Sequence, residues 1–153
     1  MKYRDYKIGF TYEVPEYFSE VRESSFEVFN VAEGTIHYFI LLDDEGDIVR
    51  NFSMSAEGPL KDNKEYEEKI KDYIDTLTGV DFVVLKENEL VTEKGREIKR
   101  YVLFDKMMQA ELGMLFYFTK IKDRLVVSTT YITEYYDEYE EELYEIFDSI
   151  EEM

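Results

Sequence analysis

The chain has 153 residues, about one domain's worth, with 36 Asp and Glu against 18 Lys and Arg and a formal charge of −18 at pH 7. Apolar residues make up 44% and aromatics 16%, too many for a disordered acidic chain, and roughly 70% of the unfolded surface is buried at this size, so a core is available. The acidity excludes an electrostatic nucleic-acid binder, which needs a Lys/Arg surface, disfavours docking on anionic membranes, and suits a cationic partner.

Ile8, Phe10, Tyr12 and Val14 alternate with polar residues, the period of a half-buried strand, which Pro15 ends. Ser24 to Val31 reads as a second strand and Thr35 to Leu42 as a third, apolar on both faces. Asp43-Asp44-Glu45-Gly46 is the loop of a hairpin, and Asp47 to Ala56 its second arm, with Ile48, Phe52 and Met54 expected on one face. Gly58-Pro59 breaks the pattern. Asp62, followed three residues later by Glu65, resembles a capping box. Tyr66, Ile70, Tyr73, Ile74 and Leu77 then form the stripe of an amphipathic helix, closed by Thr78-Gly79 with glycine in the left-handed C′ role. Strands follow over Asp81 to Val91, Arg96 to Phe104, Leu112 to Ile121 and Leu125 to Ile132, with turns at Lys94-Gly95 and Lys122-Asp123. Leu112 to Ile121 is apolar on both faces, as a central strand with a layer on each side must be. A final helix is expected from Glu134 to Ile150, with Thr133 as N-cap. Its apolar stripe is Tyr136, Tyr139, Leu143, Ile146, Phe147 and Ile150, with Glu138, Glu140, Glu141, Glu142 and Glu145 largely off it. No Pro/Ser/Gly-rich linker divides the chain, so residues 1–153 read as a single domain. Four strands, a helix, four strands and a helix, joined by hairpins, make an α+β fold with a mostly antiparallel sheet.

The absences narrow the chemistry. There is no cysteine, hence no disulfide, thiol nucleophile or Zn–thiolate site. The one histidine cannot build a His-His or His-Glu-x-x-His metal site from a single chain. There is no P-loop and no Gly-x-Ser-x-Gly elbow. No run approaches the ~18 apolar residues of a membrane span. The opening Met-Lys-Tyr-Arg-Asp-Tyr-Lys has no apolar segment behind it, so the chain as it stands is expected in the cytoplasm, with an extracytoplasmic site the alternative if a leader has been removed.

The strand Ile8-Gly9-Phe10-Thr11-Tyr12-Glu13-Val14-Pro15, the Tyr66 to Thr78 helix, and the ending Leu125 to Thr130 with Leu143 to Ile150 resemble the PsbP-like superfamily. That group includes the photosystem II extrinsic protein PsbP, a Ran-binding nucleotide-release factor, the periplasmic protein DcrB and many bacterial lipoproteins. The resemblance implies an antiparallel sheet sandwiched by helices, αβα, and binding or assembly roles rather than catalysis. No position here matches a functional residue of the family. The lipidated cysteine of its lipoprotein members is absent.

Several residues are candidate sites, each with a plainer structural reading beside it. His37 is either a general base or pH switch, or a hydrogen-bonded histidine on a sheet face. Asp43, Asp44 and Asp47, with Glu45, form an oxygen-rich loop suited to a Ca²⁺ or Mg²⁺ ion, or an ordinary solvated turn. Arg50 and Arg100 fall on apolar strand faces, where an inward guanidinium must be paired, either with an anionic ligand or in a structural salt bridge. Met107-Met108 is either an adaptable contact or loop packing. The acidic final helix is the strongest candidate for a basic protein partner, against the reading of a solvated outer face. The expected function is a non-catalytic binding or assembly module acting on a protein partner, without a cofactor. The alternative is a small-anion or divalent-cation binding domain, and a hydrolase with paired carboxylates is a third class for which the sequence names no pair. An exposed apolar patch would favour the first, a closed pocket with convergent polar groups the second.

Overall fold

The computed structural model describes residues 1–5, 9–21, 35–79, 81–107, 109–133 and 136–153. The period-two patterns become strands β1 (Lys2–Asp5), β2 (Phe10–Glu13), β3 (Ser19–Val21), β4 (Thr35–Leu42) and β5 (Ile48–Glu57). Helix α1 (Asn63–Thr78) follows, then β6 (Phe82–Val91), β7 (Glu97–Asp105), β8 (Gln109–Ile121) and β9 (Arg124–Ile132). Helix α2 (Asp137–Asp148) and a two-residue β10 (Glu151–Glu152) close the chain. The strand expected at Ser24 to Val31 lies outside the described residues.

Seven strands form one sheet in the order β3-β4-β5-β9-β8-β7-β6, every neighbouring pair antiparallel. β9 is central and β8 lies beside it, as the two-faced apolar pattern of β8 requires. Met114, Phe116 and Phe118 of β8 pack under α1, and Leu115, Tyr117 and Ile121 pack under α2. The layers are therefore helix, sheet, helix. The first expected strand departs from this plan. β2 pairs not with the large sheet but with β1 and with β10, in a three-stranded sheet of its own. It joins the two ends of the chain, with the Met1 ammonium donating to the Val14 carbonyl at 2.7 Å and the Glu13 N–H to Ser149 Oγ at 2.8 Å. Phe10 and Tyr12 of β2 pack with Phe39, Phe52 and Met54, so this small sheet roofs the β4–β5 half of the α2 face.

At the start of α1, Asp62 Oδ1 accepts from the Glu65 N–H at 2.9 Å, as the capping box requires. Tyr66, Ile70 and Ile74 are buried on the sheet, with Tyr73 and Leu77 beside them. Gly79 is not left-handed; its φ of −72° continues the helix and its N–H donates to the Asp75 carbonyl. α2 begins later than expected. Tyr136, not Thr133, holds the N-cap position and makes no side-chain cap bond. Its ring is used instead for packing, 6.3 Å from Phe104 and beneath Lys86 Nζ at 5.7 Å.

The expected alignment of Ile48 with Phe52 and Met54 also fails. The β4–β5 register slips between Leu41 and Leu42, which oppose Arg50 and Ile48. The extra residue on β5 reverses the alternation, and Ile48 turns to the opposite face. Gly113 on β8 marks a close approach: a Cβ there would meet the Phe104 ring at 2.7 Å. Among the described residues, no helix is long and apolar enough to cross a membrane.

Candidate functional site

On the α2 face, the structure places the two candidate arginines on opposite flanks of one helix. Arg50 rises from β5 and Arg100 from β7, three strand positions or about 14 Å apart. Glu138 and Glu142, at i and i+4, share a side of α2 and meet Arg50. Arg50 Nη2 lies 2.5 Å from Glu138 Oε1, Nη1 bonds Glu142, and the guanidinium carbon sits 5.0 Å from the Tyr139 ring centroid. Tyr17 donates to the other Glu142 oxygen at 2.5 Å. Glu140, two residues from each and so on the opposite flank, takes two bonds from Arg100, at 3.0 and 2.5 Å. Asn88 Oδ1 accepts another Arg100 bond at 2.9 Å. Glu140 and Glu142 lie off the apolar stripe, as expected, but at its flanks and bonded to the sheet. Together they straddle the stripe and pin the helix to the sheet, which leaves Asp137, Glu138, Glu141 and Glu145 as its exposed acids.

Burial raises the Glu142 carboxyl above its ordinary range, against the bonds from Tyr17 and Arg50. Burial, then the bond to Glu142, pushes the Tyr17 phenol up to about 12. Burial opposes the Arg50 charge, but the bond to Glu138 and the nearby Glu142 hold it protonated. The space beside this network is about 10 Å³, room for a single water. An anion reaching Arg50 or Arg100 would have to displace carboxylates already bonded there.

His37 lies on the same face of β4, its Nδ1 3.2 Å from Glu20 Oε1 and its ring 6.4 Å from that of Tyr12. In the hairpin, Asp43 Oδ1 accepts from the N–H groups of Glu45 and Asp47, both at 2.9 Å, and so organises the turn itself. Among the described residues no three His, Asp or Glu side chains converge as a metal would need. Met107 is 86% exposed; Met108 lies outside the described residues.

The feature the sequence reading did not isolate is on the other face. Seven strands span about 29 Å, whereas one helix covers about 10 Å. α1 packs on apolar residues of β6, β7, β8 and β9, and meets β5 at its last residue, where the Tyr73 hydroxyl donates to Glu57 Oε1 at 2.7 Å. The half of the sheet that the described residues leave uncovered holds an open groove of about 360 Å³. Its floor consists of two cross-strand rows. Tyr38 of β4 opposes Ser53 of β5, which opposes Thr129 of β9. Ile40 opposes Asn51, and Tyr131 opposes Met114 of β8. Ile48, turned over by the bulge and 52% exposed, closes one end. Tyr131 is 48% exposed. Burial, then the neighbouring Tyr131, raises the Tyr38 phenol. None of these eight side chains carries a formal charge. The available signal was β4 itself, apolar on both faces in a chain with one helix for each face.

With strands, helices and register in place, the chain can be compared with solved structures. The solution structure of cyanobacterial PsbP (CyanoP) from Synechocystis sp. PCC 6803 superposes over 100% of this chain and 92% of its own, with a TM-score of 0.65 at 12% identity. The fold is PsbP-like. A crystal structure from Bacteroides thetaiotaomicron VPI-5482 matches 99% of this chain and 48% of its own, with a TM-score of 0.55 at 13% identity. No protein-family model and no curated protein matches the sequence. At these identities the likeness concerns the PsbP-like backbone, so functional arguments rest on the side chains above.

Proposed function

We propose that this PsbP-like chain is a non-catalytic binding module that docks a protein partner on the open half of its sheet. The observation that carries this reading is the groove over β4, β5 and β9: uncharged apolar, aromatic, hydroxyl and amide side chains, half-buried apart from the exposed Ile48 and Tyr131 and the buried Met114, on a molecule of charge −18. A soluble acidic protein gains nothing in solubility from such a face, and exposed apolar patches of this kind mark interaction sites. Tyr and Met are also the side chains that interfaces favour. Helix α2 is the weaker candidate, because three of its carboxylates, Glu138, Glu140 and Glu142, already bond arginines of the sheet. The small-anion and divalent-cation readings find less support in the paired arginines and the self-bonded Asp43.

The test uses the immobilised protein and its Ile40→Ser, Tyr131→Ser variant, each exposed to extract from the source cells. Wild type is expected to retain a stoichiometric partner that the variant loses, while circular dichroism shows the variant folded. A partner retained equally by both overturns the reading.

A further inference from the structure

The open groove has a charge setting that points to the kind of partner it takes, an inference that rests on the docking reading above. From Thr35 to Leu60 the only Lys or Arg is Arg50, and from Leu125 to Met153 there is none. Arg50 is turned to the opposite face and bonded to α2. Arg124, which opens β9, is paired with Ile121 and shares the α2 face with it, so the described residues of β4, β5 and β9 present no cation on the groove side. At the Ile48 end, by contrast, the chain runs directly into the hairpin, where Asp44, Glu45 and Asp47 are exposed. Asp43 is committed to the turn, but these three carboxylates accept none of its backbone bonds. Among the described residues, an uncharged floor that runs at one end into an acidic hairpin complements one occupant better than others. A second copy would bring its own −18 charge and its own acidic hairpin to the contact. An anionic ligand would find no cation to meet it.

We propose that the groove takes a basic protein segment, in which an aromatic or aliphatic side chain seats between Tyr38, Ile40 and Tyr131 and flanking Lys or Arg residues face the Asp44–Asp47 hairpin. The anchor supplies the buried contact, while the charges steer approach and select the partner. Carboxylates at the rim act mainly on encounter and on salt dependence.

The chain contains no Trp, so a Trp-bearing peptide is a clean fluorescent probe of the groove. Three synthetic peptides are titrated into the full chain: Trp flanked by Lys, Trp flanked by Glu, and the Lys peptide with Gly in place of Trp. Binding of the Lys-flanked Trp peptide alone is expected, weakened tenfold or more by Tyr131→Ala. Combined Asp44→Asn, Glu45→Gln and Asp47→Asn should weaken it several-fold and flatten its salt dependence. Equal binding of the Glu- and Lys-flanked Trp peptides, lost with Tyr131→Ala, would overturn the basic partner while leaving the docking face standing. Equal binding of the Lys peptides with and without Trp, indifferent to Tyr131→Ala, would show only attraction to net charge and overturn the inference. A wild-type dimer in sedimentation equilibrium that Tyr131→Ala dissociates would assign the groove to a second copy and overturn it as well. Binding of no peptide would count against both readings.

Discussion

Arg100 and Ser128 show how differently a buried polar group can be placed. Arg100 is 8% exposed and bonded to Glu140 and Asn88, so its charge is matched. Removing one partner of such a pair leaves the other charge stranded, whereas replacing both with apolar groups is nearly neutral. Arg100→Met is therefore expected to cost about 2 kcal/mol, and Glu140→Leu added to it to recover most of that loss in a urea-unfolding cycle. A loss in the double variant equal to the sum of the two single losses would show that the pair is not coupled. Ser128 is fully buried on the α2 side, and its hydroxyl has no hydrogen-bond partner among the described residues. Ser128→Ala is expected to raise stability by about 1 kcal/mol, read as a shift in the urea midpoint at constant slope. Little of this was legible in the sequence. It showed that Arg50 and Arg100 fall on apolar faces and need partners, but partners on α2 are set by where the helix crosses the sheet, and periodicity carries no such information.

The elements themselves were more legible, because periodicity records which face is buried. The α1 stripe, the hairpin at Asp43–Asp47 and the two faces of β8 follow from spacing alone. Asp62→Ala, which deletes the cap bond to Glu65, is expected to cost about 1 kcal/mol in thermal unfolding. The ends of α2 were harder to read, since they depend on tertiary bonds. At its C-terminal end Asp148 Oδ1 accepts from the Lys94 N–H at 2.9 Å, which ties the helix to the β6–β7 turn. The bond with Thr92 and then that from Lys94 hold the Asp148 carboxyl below its usual range. A carboxyl depressed in the folded state stabilises fully above its unfolded pKa, near 4, and loses that contribution as pH falls through the folded value. Asp148→Asn is therefore expected to lower stability at pH 7 and to flatten its decline on acidification. An acid-unfolding profile parallel to wild type would contradict the assigned role. The β5 bulge was not legible either. Ile48 has the parity of Phe52, and only the slipped register reveals that it faces the groove.

For the molecule as a whole, arithmetic of area links fold to function. A seven-stranded sheet with one helix on a face cannot bury that face. On the α2 side the shortfall is met by the small sheet that joins the chain's ends, through Phe10 and Tyr12. On the α1 side the described residues leave β4 and β5 open, and an uncharged, Tyr-lined groove is the result. The sequence singled out the acidic final helix as the strongest partner candidate beside the reading of a solvated face, because charge is visible in a sequence and an uncovered face is not. The measurement that separates the two is the mapping of backbone amide shifts in a ¹⁵N-labelled sample titrated with the Lys-flanked Trp peptide. Perturbations are expected to cluster at Tyr38, Ile40, Asn51, Thr129 and Tyr131, with smaller ones along Asp44 to Asp47. A cluster at Glu141 and Glu145 on the outer side of α2, with the groove amides unmoved, would contradict the account.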